Sequence, residues 1–151
     1  MKQMKRNKKS LALLFIDLDG FKSINDDYGH DYGDEILRQV AKRVSETLRD
    51  EDVFARLGGD EFTLIASNIT EEGLVDNCAI KIVAQKVIKV LSEPFDVIDA
   101  TCHIGSSIGI SLYPSQTTDL DELISHADTA MYAVKNSGKN NFKIYDSSME
   151  K

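Results

Sequence analysis

Four carboxylates stand where chemistry is most easily built. Asp17 and Asp19 close an apolar run, Leu11–Leu18, and their spacing of two places both on one face of a strand. Asp60 and Glu61 follow Gly58-Gly59 at what reads as a hairpin tip. If that hairpin lies beside the first strand, its acids approach Asp17. Carboxylates brought together repel, and carboxylates at the edge of an apolar strand are costly unless a cation meets them. A divalent cation is the natural compensation, and hard oxygen ligands of this kind suit magnesium with phosphates completing the shell. Taken alone, either acidic pair reads more readily as a solvated turn.

The stretch between them adds groups suited to a nucleotide. After Asp19 come Gly20-Phe21-Lys22-Ser23-Ile24-Asn25-Asp26, then Gly29-His30-Asp31 and Gly33-Asp34. Backbone N–H groups of a turn entering a helix can hold phosphate, and Lys22 brings a positive charge. Asn25 and Asp34 carry side chains able to read the edge of a base; the plainer readings are a helix-end Asn and an acid in a first helical turn. His30, His103 and His126 have no nucleophile or metal-ligand spacing around them. Arg49-Asp50-Glu51-Asp52 is an R-x-x-D run, and an Arg near a helix C-terminus is expected from the macrodipole alone.

The elements that must position these residues follow from hydrophobic pattern. Leu11–Leu18 reads as a strand buried on both faces. Gly20–Asp26 reads as a short helix or turn. Ile36, Val40, Val44 and Leu48 recur every four residues and predict a helix from Asp34 to Arg49. Val53–Leu57 and Phe62–Ala66 are strands joined by the Gly-Gly turn. A second long helix is expected from Glu72 to Leu91, with Ala79, Ile82, Val83, Val87 and Val90 inward and Pro94 ending it. Phe95–Ile98 is a brief strand. Ile104–Leu112 alternates large residues with Gly105, Ser107, Gly109 and Ser111, a small face made for close packing. A third long helix covers Leu120–Asn136 with Leu123, Ile124, Ala127, Met131 and Val134 as its stripe and Gly138 at its C-terminal cap. Phe142–Tyr145 is a last strand. The order β-α-α-β-β-α-β-β-α-β implies an α+β fold, an α/β sandwich with a ferredoxin-like palm.

Composition sets outer limits. The 151 residues fit one domain, with 42% hydrophobic and 28% charged residues. No apolar run approaches the ~20 residues of a membrane span, and no signal peptide is visible. Cys78 and Cys102 sit in apolar contexts and read as buried free thiols in a reducing, cytoplasmic setting. The net charge is −7, from 18 basic and 25 acidic residues, but Lys2, Lys5, Arg6, Lys8 and Lys9 are all at one end. The other 13 basic and 25 acidic residues carry −12, which excludes general nucleic-acid binding. The basic start reads as a frayed end or as a contact for an acidic membrane surface.

Four motifs in order carry a family resemblance: FIDLDGFKSINDDYGHDYGDEIL, RLGGDEF, SIGISLYP and HADTAMYAVKNSGKNNF. Together they resemble the GGDEF domain of bacterial diguanylate cyclases, from about Leu11 to Tyr145. The resemblance implies a palm of the nucleotidyl cyclase type, with residues 1–10 a basic remnant, 11–146 the domain and 147–151 a tail or linker. It implies condensation of two GTP into cyclic di-GMP and two pyrophosphates across a transient homodimer, with magnesium or manganese as cofactor. Asp17, Asp60, Glu61 and the carbonyl of Leu18 would be metal ligands. Asp60, supported by Glu61, would be the catalytic base. Asn25 and Asp34 would bind guanine. Lys22, Lys135 and Lys139 would bind phosphates, Phe21 would be a substrate contact, and Gly58 and Gly59 would let the backbone approach. Arg49 and Asp52 would bind cyclic di-GMP as an inhibitory site.

Two departures bear on activity. The D-x-L-T-x-L-x-N-R helical segment that usually opens the domain is missing here, so the expectation is a weakly active piece of a longer protein with a sensory domain, one compatible with a membrane anchor in the parent. Lys139 stands where the family often has Arg, and loses the bidentate fork. The run Asn140–Met149 is similar to the junction leading into an EAL phosphodiesterase domain. A GTP- or cyclic di-GMP-binding module that regulates such a domain is the alternative reading. A third is an ATP-using palm cyclase, against which Asn25 and Asp34 speak.

Overall fold

The computed structural model describes residues 9–70 and 78–150, with the side chains of 9, 68–70 and 78 left aside. The basic side chains of Lys2, Lys5, Arg6, Lys8 and Lys9, the expected helix start at Glu72 and the Cys78 thiol therefore lie outside the described residues.

The central sheet has the order β2-β3-β1-β6-β7. Its strands are β1 (Lys9–Asp19), β2 (Val53–Gly58), β3 (Glu61–Thr70), β6 (Gly105–Tyr113) and β7 (Asn141–Ile144). All neighbours are antiparallel except β6 and β7. β1 is central, which explains its unbroken apolar run. Ala12, Leu14, Ile16 and Leu18 point to one face, where Phe62, Leu64, Ile108 and Ile110 join them. Leu13, with Leu11 and Phe15 partly buried beside it, faces the other. Each fully buried Leu or Ile of this kind contributes about 1.5–3 kcal/mol.

Helices α1 (Phe21–Tyr28), α2 (His30–Ser45) and α3 (Cys78–Ser92) cover the first face. α2 begins and ends about four residues earlier than its apolar spacing alone predicts. The break falls at Gly29 (φ 102°, ψ 171°), and His30-Asp31-Tyr32-Gly33 is already helical. On α3 the fully buried residues are Ile80, Ala84, Val87 and Leu91, whereas Ile82 is exposed. That helix is apolar on most sides, so its periodicity did not single out the inward stripe.

α4 (Leu120–Asn136) covers part of the second face. Asp119 caps it, its carboxylate accepting from the N–H groups of Asp121 and Glu122. Its buried stripe is Leu123, Ala127, Ala130, Met131 and Val134; Ile124, expected in the stripe, is 40% exposed because it lies at the stripe's edge. The small face of β6 is where α4 approaches. A Cβ on Gly109 would lie 2.1 Å from the Ala127 carbonyl oxygen and 2.2 Å from the Met131 nitrogen. The helix ends on Gly138 (φ 127°), and the Lys139 N–H donates to the Val134 carbonyl at 3.0 Å. A small hairpin, β4 (Phe95–Val97) with β5 (Ala100–Cys102), was half seen in the sequence; its second strand is only three residues long. Cys102 is a buried free thiol, as expected. Among the described residues no helix is long and apolar enough to cross a membrane.

Candidate active site

The end of β1 meets the hairpin tip. Asp17 is paired across the sheet with Glu61 on one side and Ser107 on the other. The Leu18 N–H donates to the Asp60 carbonyl at 3.1 Å, tying the β2–β3 turn to β1. Gly59, at φ 52°, supplies the left-handed turn residue, and the Arg56 Nε–H donates to the Gly59 carbonyl at 3.0 Å. Local turn geometry and sheet register together hold the Asp60-Glu61 pair beside Asp17.

Asp17 and Asp19 share a face but not an environment. Ser107 Oγ donates to both oxygens of Asp19, at 2.8 and 2.9 Å, and the Asn140 N–H donates to Asp19 Oδ2 at 2.9 Å. Asp19 thereby anchors β6 and the approach to β7. Asp17 is 7% exposed, and its Oδ1 is buried without a hydrogen-bond partner. Its pKa is raised above 3.8, chiefly by burial, with the charges of Asp60 and Glu61 acting the same way and Lys135 opposing them. Lys135, in the last turn of α4, places Nζ 2.9 Å from Asp17 Oδ2 and 3.8 Å from Asp19 Oδ1. Burial works against the Lys135 charge, yet its bonds to the two aspartates hold its pKa above the ordinary value.

These residues fit a hard divalent cation by donor type. A buried carboxylate oxygen is free, and two further carboxylates lie close enough to raise its pKa. Among the described residues no three Asp, Glu, His or Cys side chains converge on one point, and the positive charge that meets Asp17 is Lys135. The reading of Lys135 as a phosphate group is therefore incomplete: here its ammonium is engaged by the carboxylates.

The nucleotide-type residues gather on α1 and α2. Lys22 is exposed in the first turn of α1. Phe21 is 6% exposed and its ring packs in the core. Asn25 lies against α2 at Gly33, next to Asp34, so the two candidate base readers are neighbours in space. The Asn25 Oδ1 is buried without a partner. Asp34 lies on the exposed side of α2, in the second turn rather than the first, and borders a cleft that Leu37, Arg38, Phe54, Arg56 and Phe62 also line. Lys139 is exposed at φ 65°, just beyond α4. Gly58 and Gly59 are exposed at the hairpin tip.

The R-x-x-D run is a self-paired turn beyond α2. The Arg49 N–H donates to Asp52 Oδ2 at 3.0 Å, the Asp52 N–H donates to the Arg49 carbonyl at 3.0 Å, and the guanidinium lies 3.7 Å from Asp52 Oδ1. The guanidinium also donates to the Ser67 carbonyl at 2.6 Å and pairs with Glu51 at 3.5 Å. It is half exposed and so open to an anion that displaces the acids.

Sequence reasoning missed the groups that act on the site from behind. Ser107 and Asn140 fix Asp19, Arg56 clamps the turn, and Gly33 makes room for Asn25. The small residues of β6 signalled close packing, but nothing local marked Ser107 as a donor to an aspartate 88 positions away.

Comparison with known proteins places this arrangement. The model of the diguanylate cyclase GGDEF domain matches residues 1–141. The chain is 41% identical over 149 residues to a bifunctional diguanylate cyclase/cyclic di-GMP phosphodiesterase of Pseudomonas aeruginosa, MucR, covering 99% of the chain and 21% of that protein. It is 38% identical over 137 residues to the cyclic di-GMP phosphodiesterase NbdA of the same organism, covering 91% of the chain and 17% of NbdA. The chain thus spans about a fifth of the length of these curated relatives. Among solved structures it is similar to a Pseudomonas aeruginosa chain comprising only the GGDEF domain of TpbB. The TM-score is 0.90 at 32% identity, covering 98% of this chain and 84% of that one.

Proposed function

The chain belongs to the GGDEF domain family of diguanylate cyclases, with the nucleotidyl cyclase palm, and on that premise we propose that it condenses two GTP into cyclic di-GMP and two pyrophosphates. The observation that carries this reading is the buried Asp17 with its free Oδ1, set against the Asp60-Glu61 tip and met, among the described residues, by the Lys135 ammonium. A structural carboxylate would be satisfied as Asp19 is.

Phosphoryl transfer asks for positioning and charge neutralisation more than covalent participation. Asn25 and Asp34 orient guanine, and an unpaired acceptor discriminates against adenine. Lys22 and Lys139 meet phosphate oxygens. Asp60 accepts the proton of the attacking 3′-hydroxyl, which belongs to the GTP of a second subunit, and Glu61 supports it. A bound magnesium or manganese ion would neutralise phosphate charge, and Asp17, Asp60, Glu61 and the Leu18 carbonyl would hold it. Arg49 and Asp52 bind cyclic di-GMP and limit turnover.

The test is incubation of the purified chain with GTP and magnesium. Cyclic di-GMP is expected from the parent and not from Asp60→Ala. Equal product from both would remove the chemistry from this site. The names of MucR and NbdA support a second reading, in which the domain binds GTP or cyclic di-GMP and biases a neighbouring phosphodiesterase domain. GTP binding without turnover would favour it.

A further inference from the structure

Asp19 is held on three sides. Ser107 Oγ shares its proton between both carboxylate oxygens, and the Asn140 N–H donates to Oδ2. A carboxylate oxygen can accept two hydrogen bonds. Oδ2 takes one from each partner, whereas Oδ1 takes only that of Ser107 and keeps a place open. The Lys135 ammonium stands 3.8 Å from that Oδ1 and 2.9 Å from Asp17 Oδ2. It is bonded to Asp17, and a shift of about 1 Å would give it an ordinary charge-assisted bond to Asp19. The shift needs only the side chain. Lys135 lies in the last turn of α4, which is seated on β6 at Gly109 with no room between the backbones, and its flexible four-carbon stem supplies the rotation.

Asp17 is the reverse case. It is buried, its Oδ1 accepts no hydrogen bond, and the charges of Asp60 and Glu61 act on it. A divalent cation bound to this carboxylate would repel an ammonium on the same group strongly in so buried a place. The ammonium then needs another carboxylate, or it is left unpaired at a cost. We propose that Asp19 is a positioning residue, the second seat of the Lys135 ammonium: Lys135 holds the place of a divalent cation on Asp17 and passes to Asp19 Oδ1 when the cation binds. This rests on the reading of Asp17 as a metal ligand. Asp19 acts through Lys135 and not by contact with the metal. Ser107 and Asn140 keep its carboxylate fixed, with Oδ1 in reach of the ammonium.

The experiment is a double-mutant cycle of D19N, K135M and the double variant in the full 151-residue chain. Each is titrated with magnesium chloride alone, without nucleotide, and followed by nuclear magnetic resonance; urea denaturation establishes folding. K135M is expected to bind magnesium about tenfold more tightly than the parent, because the competing charge is gone. D19N should bind it about tenfold more weakly, and the same substitution in the K135M background should cost less than about threefold, the part owed to the Asp19 charge acting through space. Equal losses in the two backgrounds overturn the proposal, because Asp19 would then act on the metal itself. No loss in D19N overturns it too, as does a K135M chain that binds no more tightly than the parent. A second measurement uses the unaltered parent and does not depend on D19N folding. The Lys135 side-chain resonances, assigned by their absence from K135M, should shift on magnesium addition while the ammonium protons stay protected from exchange with water. No shift, or protons lost to rapid exchange, overturns the proposal. A parent and a K135M chain that both bind no magnesium is a different failure, and removes the reading of Asp17 as a metal ligand beneath it.

Discussion

At the scale of the residue, Asp17 carries the electrostatic burden of the site. Burial and the charges of Asp60 and Glu61 raise its pKa, and the Lys135 ion pair offsets part of that. Such tension is common where function and stability compete. Asp60→Asn should therefore stabilise the chain in EDTA by about 0.5–1 kcal/mol while abolishing product formation. The pH dependence has a definite sign. A folded-state pKa above 3.8 means that the folded chain holds the extra proton in the window just above 3.8, so this contribution to stability falls as pH rises through the raised value. Asp60→Asn should flatten that slope in urea titrations between pH 3.5 and 6, values set by the ordinary range for about one carboxylate; an unchanged slope would mean Asp60 does not act on Asp17. Lys135→Met removes the positive partner of both aspartates. It should cost about 1–2 kcal/mol in EDTA, less than a deeply buried pair because the ammonium is partly exposed. Magnesium or manganese should restore more stability to this variant than to the parent, read by thermal denaturation with and without the ion.

At the scale of the element, close approach decides what can change. Gly109 meets α4 backbone, which has no rotamer to turn. Gly109→Ala should cost about 3 kcal/mol, the upper end of overpacking penalties, and should displace the helix that carries Lys135. Denaturation midpoints check this, and a loss under about 1 kcal/mol would show that α4 slides freely on β6. The contrast with Gly33, where a side chain is the obstacle, explains why two helix-contacting glycines should behave differently. The same distinction marks what the sequence made legible. β1 is readable because a doubly buried strand leaves an unbroken apolar run, and the span of α4 is readable from its period, although Ile124 is exposed and Ala130 takes a buried place. The inward stripe of α3 is not readable, because Ile82 and Val83 are equally apolar and only tertiary packing chooses between faces. The start of α2 was hidden by Gly33, whose local preference opposes the helix it sits in. Within the site, the pairing of Asp17 with the hairpin acids was foreseeable from strand order. The division of labour between Asp17 and Asp19 was not, since it depends on Ser107 and on an Asn140 N–H 121 positions away.

At the scale of the whole molecule, the net charge of −7 and the polyanionic substrate proposed above are reconciled by placement. Lys22 and Lys139 are exposed, the one three residues beyond Asp19 and the other adjoining Asn140, whose N–H binds Asp19, and Lys135 sits among the carboxylates. One chain carries one β1 terminus, one Gly-Gly tip and one pair of proposed base readers, Asn25 and Asp34. The proposed reaction joins two nucleotides, each 3′-hydroxyl attacking the other's α-phosphate, so one such set cannot complete it. Two chains must face each other, and below the dissociation constant of that pair the fraction assembled rises with protein concentration. The initial rate of cyclic di-GMP formation should then scale with protein concentration to a power of about 2 at high dilution, falling towards about 1 as pairs saturate. Measurement across a hundredfold range of concentration, about two decades and so wide enough to see the change of order, decides the matter. Arg49→Ala should raise the late, product-rich part of each progress curve without changing this early order. A strictly first-order rate at concentrations where sedimentation shows the chain to be monomeric would mean that a single chain completes the chemistry. Saturable GTP binding with no product at any concentration would instead move the domain to the regulatory reading.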